Sequence, residues 1–121
     1  MSTAARLAQL ATLLTAGAGI PVADTPAAAA HPASAAGFLT PPELPGAAGT
    51  VLCPDGSTAR LRVDLVITGP GTTPEQLRAL YDAVDAAVGA VGQLPAAYIA
   101  GPVTPTEWAD TPAYLIPLAT L

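Results

Sequence analysis

Residues 58–68, Thr-Ala-Arg-Leu-Arg-Val-Asp-Leu-Val-Ile-Thr, constrain the fold more than any other stretch of this chain. In an extended strand Leu61, Val63, Leu65 and Ile67 point one way, while Arg60, Arg62, Asp64 and Val66 point the other. A strand with one apolar face needs partner strands at its edges and a covering layer over that face. Its second face is built for water or for a neighbour. Just upstream, Pro54-Asp55-Gly56 fits a type I turn, so residues 49–53 and 58–68 are expected to form a hairpin.

The covering layer reads as two helices. Thr73 is a good N-cap, Pro74 suits the first helical position, and Gln76 completes a capping box. Leu77, Leu80, Val84, Val88 and Val91 form the expected buried stripe. Glu75, Arg78, Asp82 and Asp85 occupy the wet side, with Arg78 in helical reach of its acidic neighbours. Gly92 and Pro95 end this helix. Gly89 inside it disfavours the helix by up to about 1 kcal/mol relative to Ala, and is expected to mark close approach to the other helix. That other helix spans residues 3–16. Leu7, Leu10 and Leu14 recur at steps of three and four beside Ala11, Ser2 or Thr3 caps the start, and Gly17, Gly19 and Pro21 end it. Its narrow stripe predicts a helix lying on a sheet with the opposite face wet.

Shorter strands and stiff connections make up the rest. Ile20–Ala23 is a brief extended piece, and residues 21–36 form a Pro/Ala-rich loop holding Pro21, Pro26 and Pro32. Residues 34–40 read as a short strand ended by Pro41 and Pro42, residues 96–101 as another, and residues 102–112 as a Pro-rich turn. The closing segment, 113–121, is apolar on both sides: Tyr114, Ile116 and Leu118 on one, Leu115, Pro117 and Ala119 on the other. Pro117 lacks an N–H for the ladder, so an edge strand or a bulge is expected. An edge apolar on both faces invites association. The expected architecture is a single domain over residues 1–121, of α+β class, with a small mostly antiparallel β-sheet and two α-helices packed on one face.

Charge and reactive residues narrow the function. The net charge is −5 and the four basic residues are all arginine, a balance that disfavours phosphate backbones and anionic membranes. Cys53 is the single cysteine, so neither an intrachain disulfide nor a Cys-based metal site is expected. His31 lies alone between Ala and Pro. Asp82 and Asp85 alternate with a wet helix face and read as solvated surface rather than an acid–base pair. Residues 69–76, Gly-Pro-Gly-Thr-Thr-Pro-Glu-Gln, lack the Lys-Ser/Thr of a P-loop and the third glycine of a dinucleotide fingerprint. Neither a nucleophile with its base nor a metal-ligand set is legible, so the expectation is a non-enzyme without cofactor or metal. Arg6 followed by residues 7–14 imitates a leader peptide, but Gln9 and Thr12 interrupt the apolar run. No apolar run nears the roughly 18–20 residues that span a bilayer. A soluble, disulfide-free protein of the cytoplasm, or one assembled there, is expected. A small secreted ligand-binding domain is the reading from a different class.

Two features remain without a role. The row Arg60, Arg62 and Asp64 is either an ordinary solvent face or a polar contact meeting Asp82, Asp85, Glu107 or Asp110 of an adjoining copy. Trp108, the one tryptophan, covers a core edge or an interface.

The order of parts carries a resemblance. It consists of an opening helix TAARLAQLATLLTAGAGI, a Pro-flanked strand ending in LTPPELPG, a long strand RLRVDLVITGPG, a capped helix TPEQLRALYDAVDAAVGAVG and a closing strand AYLIPLATL. This arrangement resembles the tail terminator proteins of long-tailed phages, especially those of actinobacterial hosts, over nearly the whole chain. The TPAAAAHPAS loop departs from that pattern. The resemblance implies a virion structural protein of the neck, assembled in the host cytoplasm. Such proteins form a homo-oligomeric ring, typically a hexamer, that caps the tail tube protein and docks to the head connector or stopper protein. Genomic DNA would pass through the lumen without specific binding. No catalytic residues carry over. The face with Arg60, Arg62 and Asp64 would lie toward a neighbour or the lumen. Residues 113–121, with Tyr114, Leu115 and Ile116, would be covered by an adjacent subunit through strand addition. Arg62→Glu is then expected to weaken assembly and leave the monomer folded. The alternative within the same particle is a head-closure adaptor, which would be mostly helical or a small barrel.

Overall fold

The computed structural model describes residues 2–26, 34–44, 51–52 and 58–120. The capping signals at Ser2, Gly19 and Thr73 act as expected, while Gly17 lies inside the first helix, which runs two residues beyond the expected 3–16. Helix α1 (Thr3–Ala18) starts at Ser2, whose side-chain oxygen accepts from the Ala5 N–H, and ends at Gly19, left-handed at φ 72°. The strands follow in chain order: β1 (Val22–Ala23), β2 (Ala36–Leu39), β3 (Val51–Leu52), β4 (Thr58–Ala59) and β5 (Leu61–Thr68). Helix α2 (Pro74–Gly92) comes next, then β6 (Ala97–Ile99), β7 (Thr104–Trp108) and β8 (Thr111–Thr120). At the start of α2 the Thr73 hydroxyl accepts from the Gln76 N–H and the Gln76 side chain accepts from the Thr73 N–H, each at 3.2 Å.

Six strands form one sheet in the order β1-β2-β5-β8-β6, with β7 also paired to β8. Only β1 and β2 run parallel as neighbours; the other pairs are antiparallel. Since β8 is antiparallel to both β5 and β6, those two are parallel to each other, with α2 crossing between them. This is a split β-α-β unit, a connection that sets its helix on one sheet face. The fold is the α+β arrangement expected, with both helices against the apolar face of β5.

The core lies between these layers. Leu61, Val63, Leu65 and Ile67 of β5 pack with Leu39, Ile116 and Leu118 beneath Leu7, Leu10, Ala11 and Leu14 of α1. From α2 come Leu80, Ala83, Val84, Ala87, Ala90 and Val91. The inner face of α2 is thus more alanine-rich than its aliphatic stripe suggests, and Leu77 and Val88 are only half-buried. Alanine lets the helices approach. A Cβ on Gly17 would sit 2.9 Å from the Ala90 Cβ, whereas one on Gly89 would meet nothing within 4 Å. Gly17, not Gly89, marks a close approach of the helices.

The closing strand is also placed differently. β8 is not an edge: β5 pairs along one side of it, and β6 and β7 lie end to end along the other. Pro117 is tolerated there for a geometric reason. Its partner Asp64 turns its backbone N–H and C=O toward Thr40, so the Asp64–Pro117 pair is of the kind without mutual hydrogen bonds. The missing N–H therefore faces the break between β6 and β7, where the Pro117 carbonyl accepts from the Ala100 N–H at 2.9 Å.

The segment expected as a Pro-rich turn, 102–112, instead holds β7 and a two-residue turn joining it to β8. Ala109 and Asp110 have φ of 50° and 64°, both left-handed, which makes this a type I′ hairpin. Each such L-residue is disfavoured by roughly 1–2 kcal/mol. Ala109→Asn combined with Asp110→Gly is expected to raise the unfolding free energy by about 1 kcal/mol, checked by urea titration; no gain would mean that the strain is relieved elsewhere.

The stretch 58–68 divides at Arg60. Thr58 and Ala59 pair with Leu52 and Val51 in a separate two-stranded sheet, while β5 joins the main sheet. The expected turn Pro54-Asp55-Gly56, Cys53 and His31 lie outside the described residues. β2 continues along β5 past its end. Thr40 N–H donates to Asp64 O and Glu43 bridges Arg62, so Pro41 and Pro42 together face Val63. Two residues against one is a bulge, a place where a sheet accepts proline.

Candidate functional site

The second face of the sheet carries the charged row. Glu43, delivered by the bulge, forms an ion pair with Arg62, Nη1 to Oε1 at 3.3 Å. Arg60 is exposed at the junction of the two sheets. Arg62 and Asp64 are half-buried, and the Arg62 Nε is buried without a hydrogen-bond partner among the described residues. Burial pushes the Asp64 carboxyl above its ordinary value of 3.8; Arg62 pulls it down and Glu43 pushes it further up. The folded protein therefore binds the proton more readily than the unfolded chain does. The stabilisation by protonated Asp64 is complete below 3.8 and is lost as pH rises through the raised value. Asp64→Asn is expected to make the protein more stable at pH 7 and to flatten its stability between pH 4 and 7, measured by thermal unfolding across that range. An unchanged profile would count against it.

Within the chain Arg62 has Glu43 as its ion-pair partner through Nη1, while its Nε stays unpaired among the described residues. Arg62→Glu would set a third carboxylate beside Glu43 and Asp64, so it is a test of the bulge as much as of assembly. Arg60, on the surface, is the cleaner probe.

The other singled-out residues separate. Trp108 is half-exposed and lies over Phe38, ring centroids 4.6 Å apart and tilted by 53°, sealing a small cluster with Val66 and Ala113. It covers a core edge on the sheet face away from the helices. Tyr114 points to the helix side and meets the exposed Tyr81 edge-on at 6.1 Å. Leu115 is half-buried on the opposite face. Ile116 is fully buried in the main core and paired with Leu65, so the expectation that residues 114–116 meet an adjacent subunit does not hold for it. Asp82 and Asp85 are exposed on α2. Arg78 forms no ion pair with either acidic neighbour among the described residues, where the ion pair found is Arg62–Glu43.

One surface was legible only in part. A groove of about 340 Å³ lies between the outer side of α1 and residues 94–97, lined by Leu10, Leu13, Leu94 and Pro95, with Arg6, Gln9 and Thr120 as its polar members. Leu13 is 44 % exposed. Its signal in the sequence is an apolar side chain one position off the stripe of Leu7, Leu10, Ala11 and Leu14. Among the described residues no group of three or more His, Cys, Asp or Glu is placed to hold a metal ion. Among them too, no helix is long and apolar enough to cross a membrane.

Set against family models, curated proteins and solved structures, the chain matches none of them.

Proposed function

We propose that this chain is a non-enzymatic structural subunit of a phage virion, a ring-forming tail terminator. It caps the tail tube and joins the tail to the head connector, in a neck assembled in the host cytoplasm. One observation carries the reading. An opening helix, a Pro-flanked strand, a long strand, a capped second helix and a closing strand follow one another, with both helices on the same sheet face. The order of parts is what carries the resemblance to tail terminators, and the placing of both helices on one face is the architecture expected from the residues. A sheet that is open, beside two helices of 16 and 19 residues, also speaks against a mostly helical or barrel-shaped adaptor. The acidic balance suits a wall that DNA passes without adhering.

β8 offers no free edge for strand addition, because its own sheet pairs it on both sides. β7 is a poor edge for strand addition, because Pro105 lacks an N–H and Glu107 is an exposed charge. Side-chain contacts are the route taken up below for joining copies.

Electron microscopy of the purified chain mixed with tail tubes is the test. Rings with a central hole the width of duplex DNA are expected, seated at tube ends. Compact monomers at high concentration, leaving the tube ends bare, would overturn the reading. In the phage, deleting the gene should leave tails of uncontrolled length or tails unjoined to heads. Arg60→Glu is expected to weaken rings on size-exclusion while leaving thermal unfolding unchanged.

A further inference from the structure

We propose that the groove beside α1 receives the outer stripe of α2 from a second copy of this chain, so that copies join head to tail. The inference rests on the ring reading and names the surfaces that would build it. Three large apolar side chains are exposed among the described residues, Leu13, Leu44 and Tyr81, and two of them belong to the helix layer. Leu13 forms a wall of the groove. Tyr81 flanks the outer stripe of α2, where Glu75, Arg78, Asp82 and Asp85 combine three carboxylates with one guanidinium.

The charges of the two surfaces are complementary. Arg6 is the groove's cation and makes no ion pair among the described residues. The groove thus offers an apolar floor and a guanidinium without an ion pair among the described residues. The α2 stripe offers a tyrosine ring set among excess carboxylates. An aromatic anchor beside an arginine contact is the pattern that concentrates binding energy at interfaces.

The two surfaces lie at opposite ends of the helix layer. Asp82 borders the cleft beside Ala18–Pro21, at the C-terminal end of α1, whereas Arg6 stands near its N-terminal end. At about 1.5 Å per residue they are separated by roughly 18 Å along α1. A contact between unlike patches is heterologous, and repeated with a closing rotation it makes a ring rather than a two-fold dimer.

Sedimentation velocity on the full chain, over rising protein concentration and at low and high salt, is the experiment. The wild type should assemble, less readily at high salt. Arg6→Glu, and Asp82→Arg with Asp85→Arg, should each raise the concentration needed for assembly on the order of tenfold or more. Combining all three changes should restore it to within a few-fold. Leu13→Ser should weaken assembly at every salt concentration. Thermal unfolding of each variant checks that the monomer is intact. If the wild type assembles but the charge variants leave assembly unchanged, or the combined variant is not restored, the groove pairing is overturned and the ring reading stands. If the wild type remains monomeric at every concentration and with tail tubes present, the ring reading itself falls, and this pairing with it.

Discussion

Ile116→Ala is expected to lower the unfolding free energy by about 2–5 kcal/mol, against a total of roughly 5–15 kcal/mol for a domain of this kind. Ile116 is fully buried, and its strand partner Leu65 is fully buried too. Both lie under the two helices, where the packing consists mainly of leucine, valine and alanine. The ladder to β5 at Ile116, with β7 and β6 pairing β8 to either side of it, holds the site in place, so a cavity there cannot collapse easily. Leu115→Ala, one residue earlier on the other face and half-buried, should be much milder. Urea titration of the two variants separates a core residue from a surface one. Equal losses at the two positions would contradict the burial that sets them apart.

Gly17→Val is expected to destabilise by about 1–3 kcal/mol, despite replacing a helical glycine. A Cβ at Gly17 would stand 2.9 Å from the Ala90 Cβ and 3.5 Å from its Cα. Those atoms belong to, or sit directly on, the α2 backbone and cannot swing aside, so the helices must part. Parting them loosens the contacts of Leu10 and Leu14 with the α2 alanines. Gly17→Ala paired with Ala90→Gly should recover most of the loss seen for Gly17→Ala alone, a coupling read from a double-mutant cycle in denaturant. Simple additivity would mean that the helices do not touch there.

Local rules made much of this architecture legible. Ser2, Thr73, Pro74, Gln76 and Gly19 mark helix ends through backbone hydrogen bonds that depend on a few neighbouring residues, and each acts as read. The alternation in 61–67 fixes a face for the same reason: the period of a strand is local. The misread places share a different cause. Strand β7 was hidden behind Pro105 and a turn with neither Asn nor Gly; its partner β8 supplies the ladder and holds Ala109 and Asp110 left-handed. Pro117 suggests an edge, but a single proline is admitted into a central strand when its nitrogen faces a gap, and that gap is made by the spacing of β6 and β7. The partner of Arg62 within the chain is not legible in the sequence, because Glu43, 19 residues away, arrives only through a bulge.

Of the candidate surfaces, the exposed acids of α2 were readable from helical period alone. The groove was not, because it is bounded by a helix and by residues 94–97, which are distant in sequence. By itself the sequence determined two amphipathic helices, a strand with one apolar face and an α+β class, since caps and periodicities act over a handful of residues. Only the tertiary structure decided strand order, the enclosure of β8, the partner of Arg62 and the close approach at Gly17. Those depend on which distant segments meet, and that is settled by burying the most apolar surface while leaving no backbone group unpaired.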